Sequence, residues 1–365
     1  MKGLFITHDI STYGAATSMS LLLDSIKGEI ECDLIYGITT FRKSINNNSI
    51  RKRFNNVPLN VYQMLLNIDY SVLNKNNNNS FKDNFKSKIA YINKTFIKNK
   101  YKNYDFCYLN SLTLHNLTNI HKNTILQVRE VYQGSMLESV KMDLEKAKGI
   151  IFIDKATKNK FCKINVEQII LNNPFDMKDI EDDENEDQRF RELKMSKETI
   201  FVMIGTLDEI KGTEYVIVEY LNSKIIGKAK LLIVGEGDEK FRRYLKNKYD
   251  NPSVIFWGEE SNIKKIYKYA DYLIRGDRIP CIGRTIYEGL YSGLGVIIPG
   301  ERKDYDLNSR YSDNIYYYST REKSALKKIF IELSSKKVIN KSYTSNITEY
   351  KEKFMNFMSQ MIEQK

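Results

Sequence analysis

Cysteine and histidine are scarce in this sequence, and long apolar runs are missing from it. The four cysteines, Cys32, Cys107, Cys162 and Cys281, stand far apart and form no CxxC pair. That spacing excludes the common cysteine-based zinc and dithiol motifs and reads as reduced, structural thiols in a cytosolic protein. The three histidines, His8, His115 and His121, have no metal-ligand partners beside them and read as structural or surface residues. No apolar run approaches the roughly 20 residues that span a bilayer. The opening MKGLFITHD runs directly into a strand pattern without a cleavable signal. The expectation is a cytoplasmic chain that is soluble or held at a membrane face.

What the sequence does have is length, apolar content and positive charge. Its 365 residues exceed one comfortable core and suit two domains, and 42% hydrophobic residues let each half bury a core. Lys plus Arg number 57 against 46 Asp plus Glu, a formal charge of +11. Such an excess favours an anionic partner: a nucleotide diphosphate, an anionic membrane surface or nucleic acid. A Lys- and Asn-rich coding bias accounts for the same totals.

The first half alternates strand-like and helix-like segments. Lys2 to Thr7 is a short apolar run, followed by a glycine turn, the helical pattern Ala16 to Ile26 and the run Cys32 to Tyr36. Phe106 to Leu109, Ile125 to Val128, Ile150 to Ile153 and Gln168 to Leu171 repeat the theme at helix-length intervals. Asn74 to Ser80 (NKNNNNS) is low-complexity and reads as a loop. Pro174 and the acidic stretch Glu181 to Asp187 (EDDENED) then break the pattern. That stretch has no strand or turn to fix ligand geometry, so it reads as a solvated linker rather than a metal site. A second series follows: Ile200 to Ile204, Lys230 to Val234, Val254 to Phe256, Tyr272 to Ile274 and Gly295 to Ile298. Alternation of this kind predicts parallel sheets with crossover helices. Two series joined by one break predict two doubly wound α/β domains, whose ligands sit at the carboxyl ends of strands.

Four segments of the second half close a strand with a loop suited to phosphate or sugar. Ile204-Gly205-Thr206-Leu207-Asp208-Glu209-Ile210-Lys211-Gly212 places a glycine where a diphosphate can approach the backbone and a lysine where it can neutralise it. Leu231-Leu232-Ile233-Val234-Gly235-Glu236-Gly237 supplies tight turns, and Val254-Ile255-Phe256-Trp257-Gly258 precedes an amphipathic helix ending near Ala270-Asp271. The fourth segment is Pro280-Cys281-Ile282-Gly283-Arg284-Thr285-Ile286-Tyr287-Glu288. There Gly283 marks a loop turning into a helix, whose free N–H groups and positive dipole end would hold a phosphate. Glu288, one turn into that helix, is placed either to accept two ribose hydroxyls or to serve as an ordinary exposed helix residue.

In order and spacing these segments resemble the C-terminal domain of glycosyltransferase family 4, the retaining GT-B enzymes. Gly205, Leu207, Lys211, Gly212, Gly235, Gly237, Gly258, Ala270, Asp271, Gly283 and Glu288 all fall in place, over roughly residues 199 to 300. In the first half, Tyr13-Gly14-Ala15-Ala16 resembles the family's Gly-Gly-Ala turn after strand one. Arg129-Glu130 stands where relatives carry a His-Glu or Arg-Glu pair facing the acceptor.

The resemblance implies a GT-B fold, two facing Rossmann-like domains with a C-terminal helix. It divides the chain into an acceptor domain over 1–175, an acidic linker over 176–198, a donor domain over 199–345 and a helix over 346–365 packing back on the first domain. It implies a hexosyltransferase moving sugar from a nucleoside-diphosphate donor to a glycan or lipid-linked acceptor in cell-surface polysaccharide synthesis. Lys211 with the Gly205 and Thr206 backbone would bind the diphosphate. Glu288 would bind the ribose, and Ile282, Gly283, Arg284 and Thr285 the sugar and distal phosphate, with Gly235 near the base. Gly14 would touch both donor and acceptor, and Arg129 and Glu130 would face the acceptor. His8-Asp9, from its place at the end of strand one, is a further candidate to contact acceptor. No metal and no cofactor beyond the donor sugar nucleotide is implied.

Two positions depart from the family. Thr206 replaces an arginine frequent there, which removes one cation from the diphosphate site. Pro280 replaces the first glutamate of the usual Glu-x7-Glu pair, and Asp277 on the same loop is the candidate to substitute for it. These departures motivate a second reading, a catalytically silent sugar-nucleotide-binding partner of another transferase. Nucleic-acid binding has only the charge behind it and no motif.

One more pattern concerns location. Phe81, Phe85, Ile89, Ile92 and Phe96 recur at helical spacing among Lys82, Lys86, Lys88, Lys94, Lys98, Lys100 and Lys102, with Asp83 the only acid. The stripe reads either as a basic helix docking on the inner face of a membrane or as a helix covering the first sheet.

Overall fold

A computed structural model describes residues 1–8, 14–38, 59–73, 83–130, 132, 138–161, 163–176, 187–260, 262–277, 283–305, 307, 313–338 and 344–363. The chain divides into two compact units, one formed by Met1–Pro174 with Asn346–Lys365 and the other by Phe175–Ser345.

The first unit is built on a seven-stranded parallel sheet. Its strands are β1 (Lys2–Thr7), β2 (Glu31–Ile38), β3 (Leu59–Leu65), β4 (Phe106–Leu109), β5 (Thr124–Val128), β6 (Gly149–Phe152) and β7 (Glu167–Ile170). They lie in the order β3-β2-β1-β4-β5-β6-β7. Central strands read as continuous apolar runs because both faces are covered, and successive side chains enter different cores. Leu4 and Ile6 of β1 join Cys107 and Leu109 of β4 on one face. Phe5, Phe106 and Tyr108 join the other, where Phe5 and Phe106 meet edge to face at 5.6 Å.

Helices α1 (Gly14–Ser25), α2 (Asp83–Lys100), α3 (Glu138–Leu144) and the single turn α4 (Lys155–Lys158) connect these strands. The stripe read along α2 is not the face that enters the core. Of its members Ile89 is half-buried and Ile92 and Phe96 are 63% and 45% exposed, beside Tyr91 at 72%, whereas Ala90 and Ile97, outside the stripe, turn inward. Phe81 lies outside the described residues. Lys94 is not a solvent lysine: it donates to the backbone carbonyl of Asn116 and is partly buried.

The second unit has a six-stranded parallel sheet in the order β10-β9-β8-β11-β12-β13. The strands are β8 (Thr199–Ile204), β9 (Ala229–Val234), β10 (Val254–Gly258), β11 (Tyr272–Ile274), β12 (Gly295–Pro299) and β13 (Ile315–Tyr318). Ile200 and Val202 of β8 enter one core, and Phe201 and Met203 the other. Helices α5 (Gln188–Met195), α6 (Thr213–Asn222), α7 (Glu239–Lys248), α8 (Ile263–Tyr269), α9 (Arg284–Tyr291) and α10 (Ala325–Leu333) complete it.

The linker expected over 176–198 is not linker throughout: the acidic stretch ends at Asp187, and a helix of the second unit follows. Asp187 caps α5 by accepting from the Arg189 N–H, and Phe190 and Leu193 are buried in the second unit's core. The residues 177–186 lie outside the described ones. The last helix, α11 (Ile347–Glu363), belongs to the first unit, where its Tyr350, Phe354, Phe357, Met358 and Met361 are buried against the sheet.

Candidate functional site

Sheet order alone marks one place in the second unit. From β8 the chain winds to β9 and β10 on one side, then returns to β11, β12 and β13 on the other. The crevice beyond the carboxyl ends of β8 and β11 is therefore the topological switch point, where open parallel sheets bind ligands. Gly205, Thr206 and Leu207 leave β8 there, and Arg275, Gly276 and Asp277 leave β11.

Close backbone approach ties these loops together. Gly235, leaving β9, lies against the Gly205 carbonyl. Gly212 has φ +68° at the start of α6, and a Cβ on it would stand 2.0 Å from the Gly276 carbonyl oxygen. Only glycine meets both demands. The Lys211–Gly212 turn is thereby pinned to the Arg275–Asp277 segment, although 64 residues separate Lys211 from Arg275.

A chain of charged groups runs through the crevice. Lys211 Nζ donates to Asp277 Oδ1 at 3.1 Å, and Arg275 Nε donates to Asp277 Oδ2 at 2.6 Å. Arg275 Nη1 then donates to Thr285 Oγ1 at 2.8 Å, in the first turn of α9. Arg275 and Asp277 are buried, whereas the Lys211 side chain is 37% exposed. Burial alone would push the Asp277 carboxyl up, but the Arg275 guanidinium and Lys211 ammonium outweigh it and hold it below the usual carboxylate range. Asp277 therefore stays ionised with both oxygens taken by cations. It fixes those cations, and each oxygen keeps one lone pair beyond the contact it makes.

Gly283 is the N-cap residue of α9 and has no side chain with which to cap the helix's first N–H groups. A Cβ at Gly283 would lie 2.2 Å from Arg275 Nη1, so the guanidinium occupies space that any other residue would fill. Glu288 is buried one turn along, not exposed. Its Oε1 pairs with Arg284 Nε, and its Oε2 accepts from the Tyr267 hydroxyl of α8 at 2.7 Å. Burial, and then the Glu288 charge, push the Tyr267 phenol far above its ordinary range, so it remains a donor. Pro280, Cys281 and Ile282 lie outside the described residues.

In the first unit the expected acceptor-side residues are engaged internally. The Arg129 guanidinium donates to the side-chain oxygens of Asn110, Asn173 and Gln127. Glu130 accepts from the Ser111 hydroxyl and from the backbone N–H groups of Leu112 and Arg129, both at 3.0 Å. It thus anchors the short turn Leu112–Leu117 after β4. Gly14, at φ +40°, begins α1, and Tyr13 and Asp9 lie outside the described residues. Cys32 and Cys107 are buried free thiols, with burial pushing Cys32 up to about 12. Cys162 and Cys281 are not among the described residues.

Arg275 and Tyr267 were not singled out by sequence reasoning. The available signal was an arginine closing a buried strand, with an aspartate two residues on.

Comparison with known proteins bears on the family signature and the fold. Residues 184–300 match the family model described as "Glycosyl transferases group 1". Among curated proteins compared by sequence, none matches. Solved structures match the whole chain. The Anabaena HepE structure in complex with UDP and glucose superposes with a TM-score of 0.71 at 12% identity, covering 98% of this chain and 99% of that one. A Rickettsia africae glycosyltransferase gives 0.64 at 16% identity, covering 100% and 99%. The lipopolysaccharide outer core galactosyltransferase WaaB gives 0.62 at 16% identity, covering both chains fully. At these identities the likeness is one of fold, the GT-B arrangement of two parallel-sheet domains.

Proposed function

We propose that this chain, which carries the group 1 glycosyltransferase signature over residues 184–300, is a retaining, metal-independent hexosyltransferase. It takes a hexose from a nucleoside-diphosphate donor and passes it to a hydroxyl of a glycan or lipid-linked acceptor in cell-surface polysaccharide synthesis. The observation that carries the reading is the Lys211–Asp277–Arg275 chain at the switch point of the second sheet, beside the uncapped start of α9. The bond from the anomeric carbon to the diphosphate oxygen breaks as the acceptor oxygen bonds to that carbon and passes its proton to the departing diphosphate oxygen. Charge develops on the departing diphosphate, where a fixed ammonium and backbone N–H groups lower the barrier without needing to reorganise. Lys211 and the Gly205–Thr206 backbone are assigned to that diphosphate. Glu288 is assigned to the ribose, which reaches it by competing with Arg284.

UDP is the first nucleotide to test, since HepE was crystallised with it. A thermal-shift screen of UDP-, GDP-, ADP- and CMP-sugars should raise the melting temperature with one base by mass action. Turnover with that donor should survive EDTA. Lys211→Ala should lower donor affinity and turnover together, each by about tenfold or more, because a charge-assisted contact is worth roughly 1.5–3 kcal/mol. Unchanged kinetics in Lys211→Ala would place the lysine outside the site.

A second reading is a silent sugar-nucleotide-binding partner of another transferase. The occupied Glu288 carboxylate favours it, as do Thr206 and Pro280. Donor binding without hydrolysis or transfer to any acceptor pool would select it.

A further inference from the structure

The donor assigned above carries a diphosphate, but Lys211, the cation assigned to it, is already paired with a carboxylate. Lys211 and Asp277 alone form a neutral pair. Arg275 joins the same carboxylate from the other side, so among the described residues the three groups carry one net positive charge. Stability does not explain such an arginine. A buried ion pair seldom outperforms a well-packed apolar pair, since desolvating both charges costs about as much as their attraction returns.

Local geometry instead reserves room for the guanidinium. The Arg275 backbone N–H donates to the Ile297 carbonyl at 2.9 Å, and its own carbonyl accepts from the Tyr318 hydroxyl at 2.7 Å, so the residue's main chain is fixed. Its side chain reaches the first turn of α9, where it donates to Thr285 and passes over Gly283, whose missing Cβ leaves the space for Nη1. Gly283 and Thr285 are themselves partly exposed. The planar guanidinium and the helix N-terminus are both anion-binding devices, and here they coincide.

We propose that Arg275 is the second cation of the donor site, binding the sugar-side phosphate at the start of α9 while Lys211 binds across Asp277. Asp277 is then a positioning residue that holds the two cations at a fixed separation. The inference rests on the donor-site reading above. It makes the preference for a diphosphate over a monophosphate a property of Arg275.

Calorimetric titration of the full chain with UDP, GDP, ADP and CDP, and with the corresponding monophosphates, tests it. The wild type should bind one diphosphate about ten- to a hundredfold more tightly than its monophosphate. Arg275→Gln should remove most of that preference while changing monophosphate affinity less than about twofold. Arg275→Lys, which keeps the charge but loses the fork, should fall between. Gly283→Ala, which leaves Arg275 in place and crowds Nη1, should move the ratio the same way and serves if Arg275→Gln does not fold. A folded Arg275→Gln or Gly283→Ala that keeps the wild-type ratio overturns the inference and leaves the donor site intact. So does an equal loss of monophosphate and diphosphate, which marks a purely structural role. If the wild type binds none of the four diphosphates, the donor-site reading falls first and this inference with it.

Discussion

At the scale of single residues, buried charge in both units is arranged so that each carboxylate has fixed partners. His115 is 5% exposed and stands between two aspartates, with Nδ1 at 2.9 Å from Asp143 Oδ2 and Nε2 at 3.0 Å from Asp69 Oδ2. The His115 contact, helped by the Ser71 N–H and hydroxyl, holds the Asp69 carboxyl down to about 2 from an ordinary 3.8. A folded value below the unfolded one means the contribution is fully present above about pH 4. It is lost as the pH falls toward 2 and the carboxylate protonates. The melting temperature of the first unit should therefore drop steeply between pH 4 and 2.5. Asp69→Asn should start lower at pH 6 and show a shallower fall over that window. A parallel pair of curves would remove Asp69 from the account of acid sensitivity.

At the scale of elements, α2 has three large apolar side chains exposed within six residues. It buries Ala90 and Ile97 and leaves Tyr91, Ile92 and Phe96 exposed. Lys88, Lys98 and Lys102 are exposed along and just beyond the same helix, and Lys100 stacks over the rings of Tyr62, Tyr101 and Phe96 at 4.4, 5.1 and 5.5 Å. Among the described residues no helix is long and apolar enough to cross a membrane. An aromatic patch ringed by lysines suits reversible docking on an anionic inner leaflet, where each lysine contributes about 1 kcal/mol. We propose this docking on the strength of the exposed patch and its lysines, separately from the donor-site reading. Replacing Lys88, Lys98 and Lys102 by Glu should weaken co-sedimentation with anionic vesicles by on the order of a hundredfold or more, as added salt should too. Lys94 is left intact in that variant because burial and its bond to Asn116 make it part of the fold. Equal binding to neutral and anionic vesicles, or to neither, would sink the idea.

At the scale of the whole molecule, the chain's last residues complete its first unit. Tyr350, Phe354, Phe357, Met358 and Met361 of α11 share one core with Phe5, Met19, Leu22 and Tyr108. Phe354 meets Tyr108 edge to face at 5.7 Å, and a Cβ on Gly149 would lie 2.8 Å from the Phe357 ring. Five such side chains, at about 1.5–3 kcal/mol each, contribute on the order of 10 kcal/mol, comparable with the whole stability of a typical domain. Ending the chain after Ser345 should unfold the first unit, with the second retaining its own melting transition in calorimetry. An unaltered first transition would show that α11 adds nothing essential.

The sequence by itself determined the periods and punctuation. The continuous apolar runs Lys2 to Thr7 and Ile200 to Ile204 are strands because both their faces are buried, and burial on both faces leaves an unbroken apolar signature. The glycines at 205, 212, 235 and 283 were legible because turns and close approach admit nothing larger. The edge strands β3 and β13 were not legible, because LNVYQML and IYYY lack the aliphatic runs of the interior; the other two edges, β7 and β10, carry short apolar runs and were read. Tertiary structure decided the second partner of each carboxylate. Arg275 and Arg284 stand two and four residues from Asp277 and Glu288, but nothing local announces that Lys211 and Tyr267 take the other oxygens. Arg275 acquires its meaning only when β11 pairs with β8 and brings Lys211, Asp277 and Gly283 around one guanidinium. Strand formation depends on a residue's near neighbours in the chain, whereas the field at a charge depends on neighbours in space, which sheet order selects.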